Sequence, residues 1–224
     1  MSIQINYKNN NSKKSSNNLI LFTDEKFNIY PLKKYISISE FSYIKELIKT
    51  SDLTKNLFVF ELNSKRKILL ISIKKKLKKS GIENLGAELY GRINYGKNSE
   101  YSINSDSAVC EHEDFIGYLL HGLKLKSYEF NKYKTKKDNR IIKINVFGKK
   151  NTISTYSKLK FKALEEGTFY TRDLVSEPGN ILHPDEYAKR LKSLKKYGLK
   201  VNIYDDKKLK KLGMNALLGV GQGS

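Results

Sequence analysis

Leu57-Phe-Val-Phe-Glu-Leu-Asn-Ser-Lys-Arg-Lys-Ile-Leu-Leu-Ile-Ser-Ile73 decides the fold class. Leu57–Leu62 and Ile68–Ile73 are short apolar runs rich in β-branched and aromatic residues. Such runs suit a pleated, half-buried surface better than a helix. Asn63-Ser-Lys-Arg66 between them has the length and polarity of a hairpin turn, so the stretch predicts two antiparallel strands. Upstream, Asn18-Leu-Ile-Leu-Phe-Thr23 reads as another strand. Ser39 is placed to cap a helix that carries Phe41, Ile44, Leu47 and Ile48 at helical spacing. Downstream, Ile82, Leu85, Leu89 and Ile93 recur at intervals of three or four and predict a second helix. Tyr101–Ile103 is a short strand. Phe115, Leu119 and Leu123, with Leu120 widening the face, mark a third helix. Arg140–Phe147 alternates as a strand and stops at Gly148. Strands interleaved with helices over residues 1–150 predict an α/β domain of ordinary size.

The texture then changes. A longer helix is expected across Leu159, Ala163, Tyr170 and Leu174, running on past Gly167 and stopped by Pro178. Pro184 can occupy the first turn of the next helix, with Asp185 and Glu186 favouring its positive end. Tyr187, Leu191 and Leu194 form that helix's apolar stripe and Gly198 closes it. Leu199–Tyr204 alternates as a strand, Asp205 or Asp206 caps a short helix over 207–212, and Ala216–Val220 reads as a further strand. About 45 residues cannot bury a parallel sheet on both faces. The pattern opened at residue 184 therefore predicts a domain that continues past Ser224.

Composition narrows the class. Hydrophobic residues make up 39% and charged residues 29% of the 224, a globular balance. No stretch approaches the roughly 20 apolar residues of a membrane-spanning helix. Residues 1–16, rich in Asn, Ser and Lys, lack the apolar core of a secretory signal, so a cytoplasmic protein is expected. The single Cys110 rules out an intrachain disulfide. Net charge is +20, divided as +14 over residues 1–150 and +6 over 151–224, so no dedicated basic tail exists. A lysine-rich solvated surface and attraction to nucleic acid both follow from such a charge.

Three separated segments carry a family resemblance. Thr171-Arg-Asp-Leu-Val-Ser-Glu-Pro-Gly-Asn-Ile-Leu-His-Pro-Asp-Glu-Tyr187 contains Arg172, Asp173, Leu174, Pro178 and Asn180. Leu209-Lys-Lys-Leu-Gly-Met214 precedes Leu218-Gly-Val-Gly-Gln-Gly-Ser224, and Gly122–Lys137 lies upstream. In this order they resemble the leucyl aminopeptidase (cytosol aminopeptidase) family; Ser176 stands where the family usually has Asn. The resemblance implies a mixed sheet sandwiched by helices over 1–150, a linker helix over 151–177, and an incomplete α/β catalytic domain over 178–224. It further implies removal of N-terminal residues, preferably Leu, from peptides, and a homo-hexamer. The family holds two divalent ions, Mn²⁺ or Zn²⁺, through a Lys and several Asp and Glu. Those motifs follow the Val-Gly-Gln-Gly-Ser run, so none is carried over: no residue here is expected to be catalytic, metal-binding or cofactor-binding. The 224 residues alone are expected to be inactive.

A search of the residues for chemistry gives few candidates. Asp173 and Glu177, and Asp185 and Lys189, are each spaced by four on helices; helix-end electrostatics is the ordinary reading and paired carboxylates the functional one. His112, His121 and His183 are too scattered for a metal motif, and His112 near Cys110 in sequence does not make a dyad. Gly219-Val-Gly-Gln-Gly223 resembles a phosphate loop, but no helix follows it. Across Gly122–Lys137, Tyr128, Phe130 and Tyr133 interleave with Lys124, Lys126, Lys132, Lys134, Lys136 and Lys137. This pattern can stack bases and neutralise phosphates, or pack its aromatics inward and leave its lysines in water. Some members of the family bind DNA, which adds a non-specific nucleic-acid partner to the expectations; no membrane partner is expected.

Overall fold

A computed structural model describes residues 2–8, 18–95, 99–136, 138–149 and 153–222. The chain divides into two compact units, Met1–Phe169 and Tyr170–Ser224.

Among the described residues the first unit has six strands: β1 (Ser2–Lys8), β2 (Asn18–Thr23), β3 (Leu57–Asn63), β4 (Arg66–Ser72), β5 (Ser99–Asn104) and β6 (Ile141–Phe147). They lie in the order β1-β6-β5-β2-β4-β3. Every neighbouring pair is parallel except β3 with β4, the hairpin that Leu57–Ile73 predicted. The helices α1 (Ile38–Thr50), α2 (Lys79–Ile93) and α3 (Phe115–Lys126) cover it. Alternation along the strands sends Ile20, Phe22, Leu69, Ile71, Tyr101, Ile103, Ile142 and Ile144 to one face, in a core shared with α2 and α3. Leu21, Ile68, Leu70 and Phe60 point the other way, onto Phe41 and Ile44 of α1. The mixed sheet flanked by helices is thus present.

The helix-to-helix contact of α2 with α3 is unusually close because glycines stand at both touching points. A Cβ on Gly86 would lie 1.9 Å from the Leu119 carbonyl oxygen, and one on Gly122 would lie 2.0 Å from that of Glu83. Only glycine lets these backbones meet.

Several expectations need correction. Ser37, not Ser39, caps α1: the Glu40 N–H donates to Ser37 Oγ at 3.2 Å and the Ser37 N–H donates to Glu40 Oε2 at 2.8 Å. This reciprocal capping box outcompetes a start two residues later. Ser2–Lys8, which the sequence presents only as part of a polar start, is an edge strand. Its partner is β6, with Ser2 opposite Ile141. An edge strand buries little, so its alternation of Ile3, Ile5 and Tyr7 is diluted by polar neighbours.

The long helix α4 (Thr155–Ser176) does run through Gly167. Its inward residues in the first unit are Ser157 and Phe161, whereas Leu159 is 63% exposed. The reason is Gly117 on α3: a Cβ there would meet the Phe161 ring at 2.2 Å, so the glycine leaves the space into which Phe161 packs.

The second unit contains the end of α4, then α5 (Pro184–Lys192), α6 (Asp206–Lys211) and α7 (Asn215–Gly221). Pro184 sits in the first turn of α5, Gly198 takes a left-handed conformation (φ 82°) after the 3-10 turn that follows it, and Asp205 caps α6 through the Lys208 N–H at 2.8 Å. The two strands expected here do not form. Residues 199–205 are irregular and Ala216–Val220 lies within α7. A strand needs a neighbour to satisfy its amides; a helix satisfies them within the segment. A short apolar run does not distinguish the two by period.

Candidate functional site

Within the second unit the best-defined polar constellation joins the end of α4 to α5. Arg190 Nη1 donates to Glu177 Oε1 at 2.8 Å and Arg190 Nε to Glu186 Oε1 at 3.0 Å, while Lys189 Nζ lies 3.6 Å from Glu186. The Glu177 side chain is 1% exposed. The hydrogen bond from Arg190 holds the Glu186 carboxyl below the usual carboxylate range, and those to Glu177 and Glu186 hold the Arg190 guanidinium above its own. These groups clamp two helices. Glu177 is therefore engaged by Arg190, and it meets Asp173 through its backbone, the Glu177 N–H donating to the Asp173 carbonyl at 3.1 Å. Lys189 turns to Glu186. Glu177 and Lys189, one member of each spacing singled out from sequence, are thus held in ion pairs at helix ends.

The three histidines stand apart. His183 is the residue before α5, its carbonyl accepting from the Tyr187 N–H at 3.0 Å. His112 lies edge-on to Tyr118 with ring centroids 5.1 Å apart, and its Nδ1 faces the Asp114 N–H at 3.4 Å. His121 is buried on α3 and pairs through Nδ1 with Glu83 Oε1 at 2.7 Å. That pair joins residues 38 apart, a relation invisible to local spacing. Cys110 is buried in the larger core. Among the described residues no group of three or more His, Cys, Asp or Glu stands where it could hold a metal ion. The described side chains thus do not fit the family's metals, and no step through them is assigned to this chain. Nor is any described helix long and apolar enough to cross a membrane.

The glycine run does not form a phosphate loop: Gly219 and Gly221 belong to α7, and Gly223 lies outside the described residues. The lysine- and aromatic-rich segment after α3 divides. Tyr128 packs on Phe169 at 5.2 Å and Phe130 on Tyr133 at 5.8 Å. Lys132, which lies 5.5 Å from the Tyr133 ring centroid, is exposed, as are Lys134 and Lys136. Lys124 instead pairs with Glu165 at 3.3 Å, and Lys137 lies outside the described residues. The aromatics are largely used for packing and the outer lysines face water.

Residues 169–224 match the catalytic domain of the cytosol aminopeptidase family. A probable cytosol aminopeptidase of Bradyrhizobium sp. is 36% identical over 143 residues, which is 62% of this chain and 29% of that protein. Another, of Chelativorans sp., is 46% identical over 110 residues, 46% of this chain and 22% of that protein. The chain therefore spans less than a third of the length of these curated relatives. Among solved structures, a mutant of tomato leucine aminopeptidase superposes with a TM-score of 0.69 at 17% identity, covering 94% of this chain and 46% of that one. The cytosol aminopeptidase of Coxiella burnetii gives 0.62 at 16%, covering 92% and 41%. These two likenesses concern the fold. Taken with the α/β unit and the helices after it, the comparisons identify the chain as matching the cytosol aminopeptidase family, at low identity and over part of its length.

Proposed function

We propose that this chain supplies the N-terminal α/β domain (1–150), a linker helix (151–177) and the opening of the catalytic domain (178–224) of a cytoplasmic, metal-dependent aminopeptidase. Its substrates are peptides, with leucine the preferred N-terminal residue, and its assembly is a homo-hexamer. The observation that carries the reading is the match of residues 169–224 to the family's catalytic domain. Two divalent ions, Mn²⁺ or Zn²⁺, would polarise the scissile carbonyl and activate a water. In the family their ligands follow the Val-Gly-Gln-Gly-Ser run, so the 224 residues by themselves are proposed to be inactive. The test has two arms. Assayed alone with Mn²⁺ and leucine p-nitroanilide, the chain is expected to give no hydrolysis above the buffer; turnover would overturn the proposed inactivity. Fused to the metal-binding remainder of a related cytosol aminopeptidase, it is expected to give Mn²⁺-dependent turnover; a folded but inert fusion counts against the aminopeptidase reading.

The net charge of +20 and the exposed Lys132, Lys134 and Lys136 beside Tyr133 favour a second reading, a basic non-catalytic module that binds nucleic acid or protein, of which nucleic acid is the partner this charge suits. It predicts duplex-DNA binding that weakens steeply as salt rises. A gel-shift titration with no complex at low salt removes it.

A further inference from the structure

The two edges of the sheet differ in character. At one end β1 holds Ser2, Gln4, Asn6 and Lys8 exposed to solvent. At the other end β3 is paired, among the described residues, on one side only, with β4. Its sequence Leu57-Phe-Val-Phe-Glu-Leu-Asn63 contains no Lys, Arg or Pro. Those residues are among the usual means of keeping an edge strand from pairing with another chain. The register shift in its ladder falls between Glu61 and Asn63, so Leu57–Glu61 is a regular run. Val59, at the middle of that run, is 37% exposed.

The hydrogen bonding of β3 has a definite phase. The Ser72 N–H donates to the Asn56 carbonyl at 2.7 Å, and bonded partners alternate along an antiparallel pair. Phe58, opposite Leu70, and Phe60, opposite Ile68, therefore bond inward to β4. The N–H and C=O groups of Leu57, Val59 and Glu61 point the other way, toward the open edge. The residues around Val59 read Phe-Val-Phe in either direction, so the edge is complementary to a copy of itself turned about a two-fold axis. In that arrangement Val59 exchanges both backbone bonds with the partner's Val59, and Leu57 does so with the partner's Glu61. Phe58 falls opposite the partner's Phe60 at a non-hydrogen-bonded position, where side chains across strands come closest. Phe58 already stacks on Phe60 of its own strand with ring centroids 6.3 Å apart, and meets Phe27 edge-on at 5.0 Å. Pairing continues this aromatic row across the axis.

We propose that β3 is a self-association edge, on which a second copy of this chain pairs its own β3 antiparallel about Val59 and joins the two six-stranded sheets. The palindrome selects a second copy over an unrelated strand. Charge sets how the contact responds to salt. At +20 each, two copies repel at long range, so their association strengthens as salt screens that repulsion. An acidic peptide on the same edge would respond in the opposite sense. The paired run, Leu57–Glu61, is far shorter than the about 20–30 residues a side of a stable interface, so the contact is weak, with a Kd of roughly 0.1 mM. The inference rests on the sheet of the first unit and uses neither the aminopeptidase reading nor its hexamer. Its test reads association through β3 and no activity, so the failure of either leaves the other standing.

The experiment is a concentration series of the isotope-labelled 224-residue chain, followed by sedimentation velocity and by amide NMR at low and high sodium chloride. Association is expected to tighten roughly tenfold from low to high salt. The amides of Leu57, Val59 and Glu61 should shift and gain exchange protection as concentration rises, while those of Phe58 and Phe60 stay protected throughout. Two variants address the same position by different means. Val59→Lys places a charge on the axis, and Val59→Pro removes an N–H that β4 does not use. Each is expected to weaken association at least tenfold, whereas Gln4→Lys on the opposite edge should leave it unchanged. A chain that stays monomeric at sub-millimolar concentration in high salt overturns the proposal. So does association that weakens as salt rises, that shifts residues outside β3 alone, or that survives both Val59 variants.

Discussion

Glu40 shows how much one side chain is asked to do. It closes the capping box of α1 and also accepts from Arg66 Nε at 2.8 Å, so it ties the helix start to β4. Burial raises its pKa, but the hydrogen bonds from Arg66 and the Ser37 backbone outweigh that and leave it below the ordinary carboxylate value. A pKa lowered in the fold contributes stability that is present above the unfolded-state pKa and is lost as pH falls through the folded one. Glu40→Gln is expected to cost about 1 kcal/mol at neutral pH. Urea denaturation across pH checks this: the gap between the variant and the parent should close as the medium becomes acidic. A gap that does not change with pH would mean the carboxylate charge contributes nothing. The helix start depends on the same side chain: Ser37 caps α1 where the sequence predicts Ser39. Both serines are eligible caps by type, and only the position of the Glu40 carboxylate decides between them.

At the scale of elements, the glycines of α2 and α3 set how closely the two helices approach. Gly86 and Gly122 each face the partner helix's backbone, which cannot withdraw as a flexible side chain could. Gly122→Ala is expected to destabilise the chain by roughly 3 kcal/mol, at the upper end of ordinary overpacking costs. That should lower Tm by roughly 6–12 °C for a chain of this size. Gly91, on the same helix α2, has nothing within 4 Å of its missing Cβ. Gly91→Ala should therefore stabilise by about 0.5–1 kcal/mol through helix propensity. Calorimetry on both variants separates packing from propensity; a Tm loss of equal size in both would refute the packing account. The same logic explains α4, whose apolar period nominated Leu159. The space beside Gly117 admits Phe161 instead, and periodicity along one helix carries no information about where its neighbour has left room.

At the scale of the whole molecule, burial is unevenly shared. The cores lie in the first unit, whereas α5, α6 and α7 contain no buried residue, and Tyr197, Leu199, Leu217 and Val220 are more than half exposed. Cooperative protection follows buried contact. Amide hydrogen exchange is expected to be slowest in β2, β4 and β5 and to approach unprotected rates across 199–222. Protection at Leu217 or Val220 equal to that at Ile20 would show that the helices of the second unit are held far more firmly than their burial provides.

The sequence alone carried the α/β class, the β3–β4 hairpin, the helices α1 to α4, the proline start of α5, and the motifs over 171–224 that resemble an aminopeptidase's catalytic domain. Those features are written in runs of neighbouring residues, through alternation, helical period, turn chemistry and short motifs. Tertiary structure alone decided the rest. Ser2–Lys8 became a strand because Ile141–Phe147, far along the chain, offered it a ladder, whereas Leu199–Tyr204 found none and remained irregular. Ala216–Val220 became helical by the same rule, since its amides had no neighbouring strand to bond. His121 met Glu83 because two glycines let α2 and α3 touch. In each case the deciding partner lies outside any local window, and a backbone group or a buried side chain adopts whatever state its distant neighbours can satisfy.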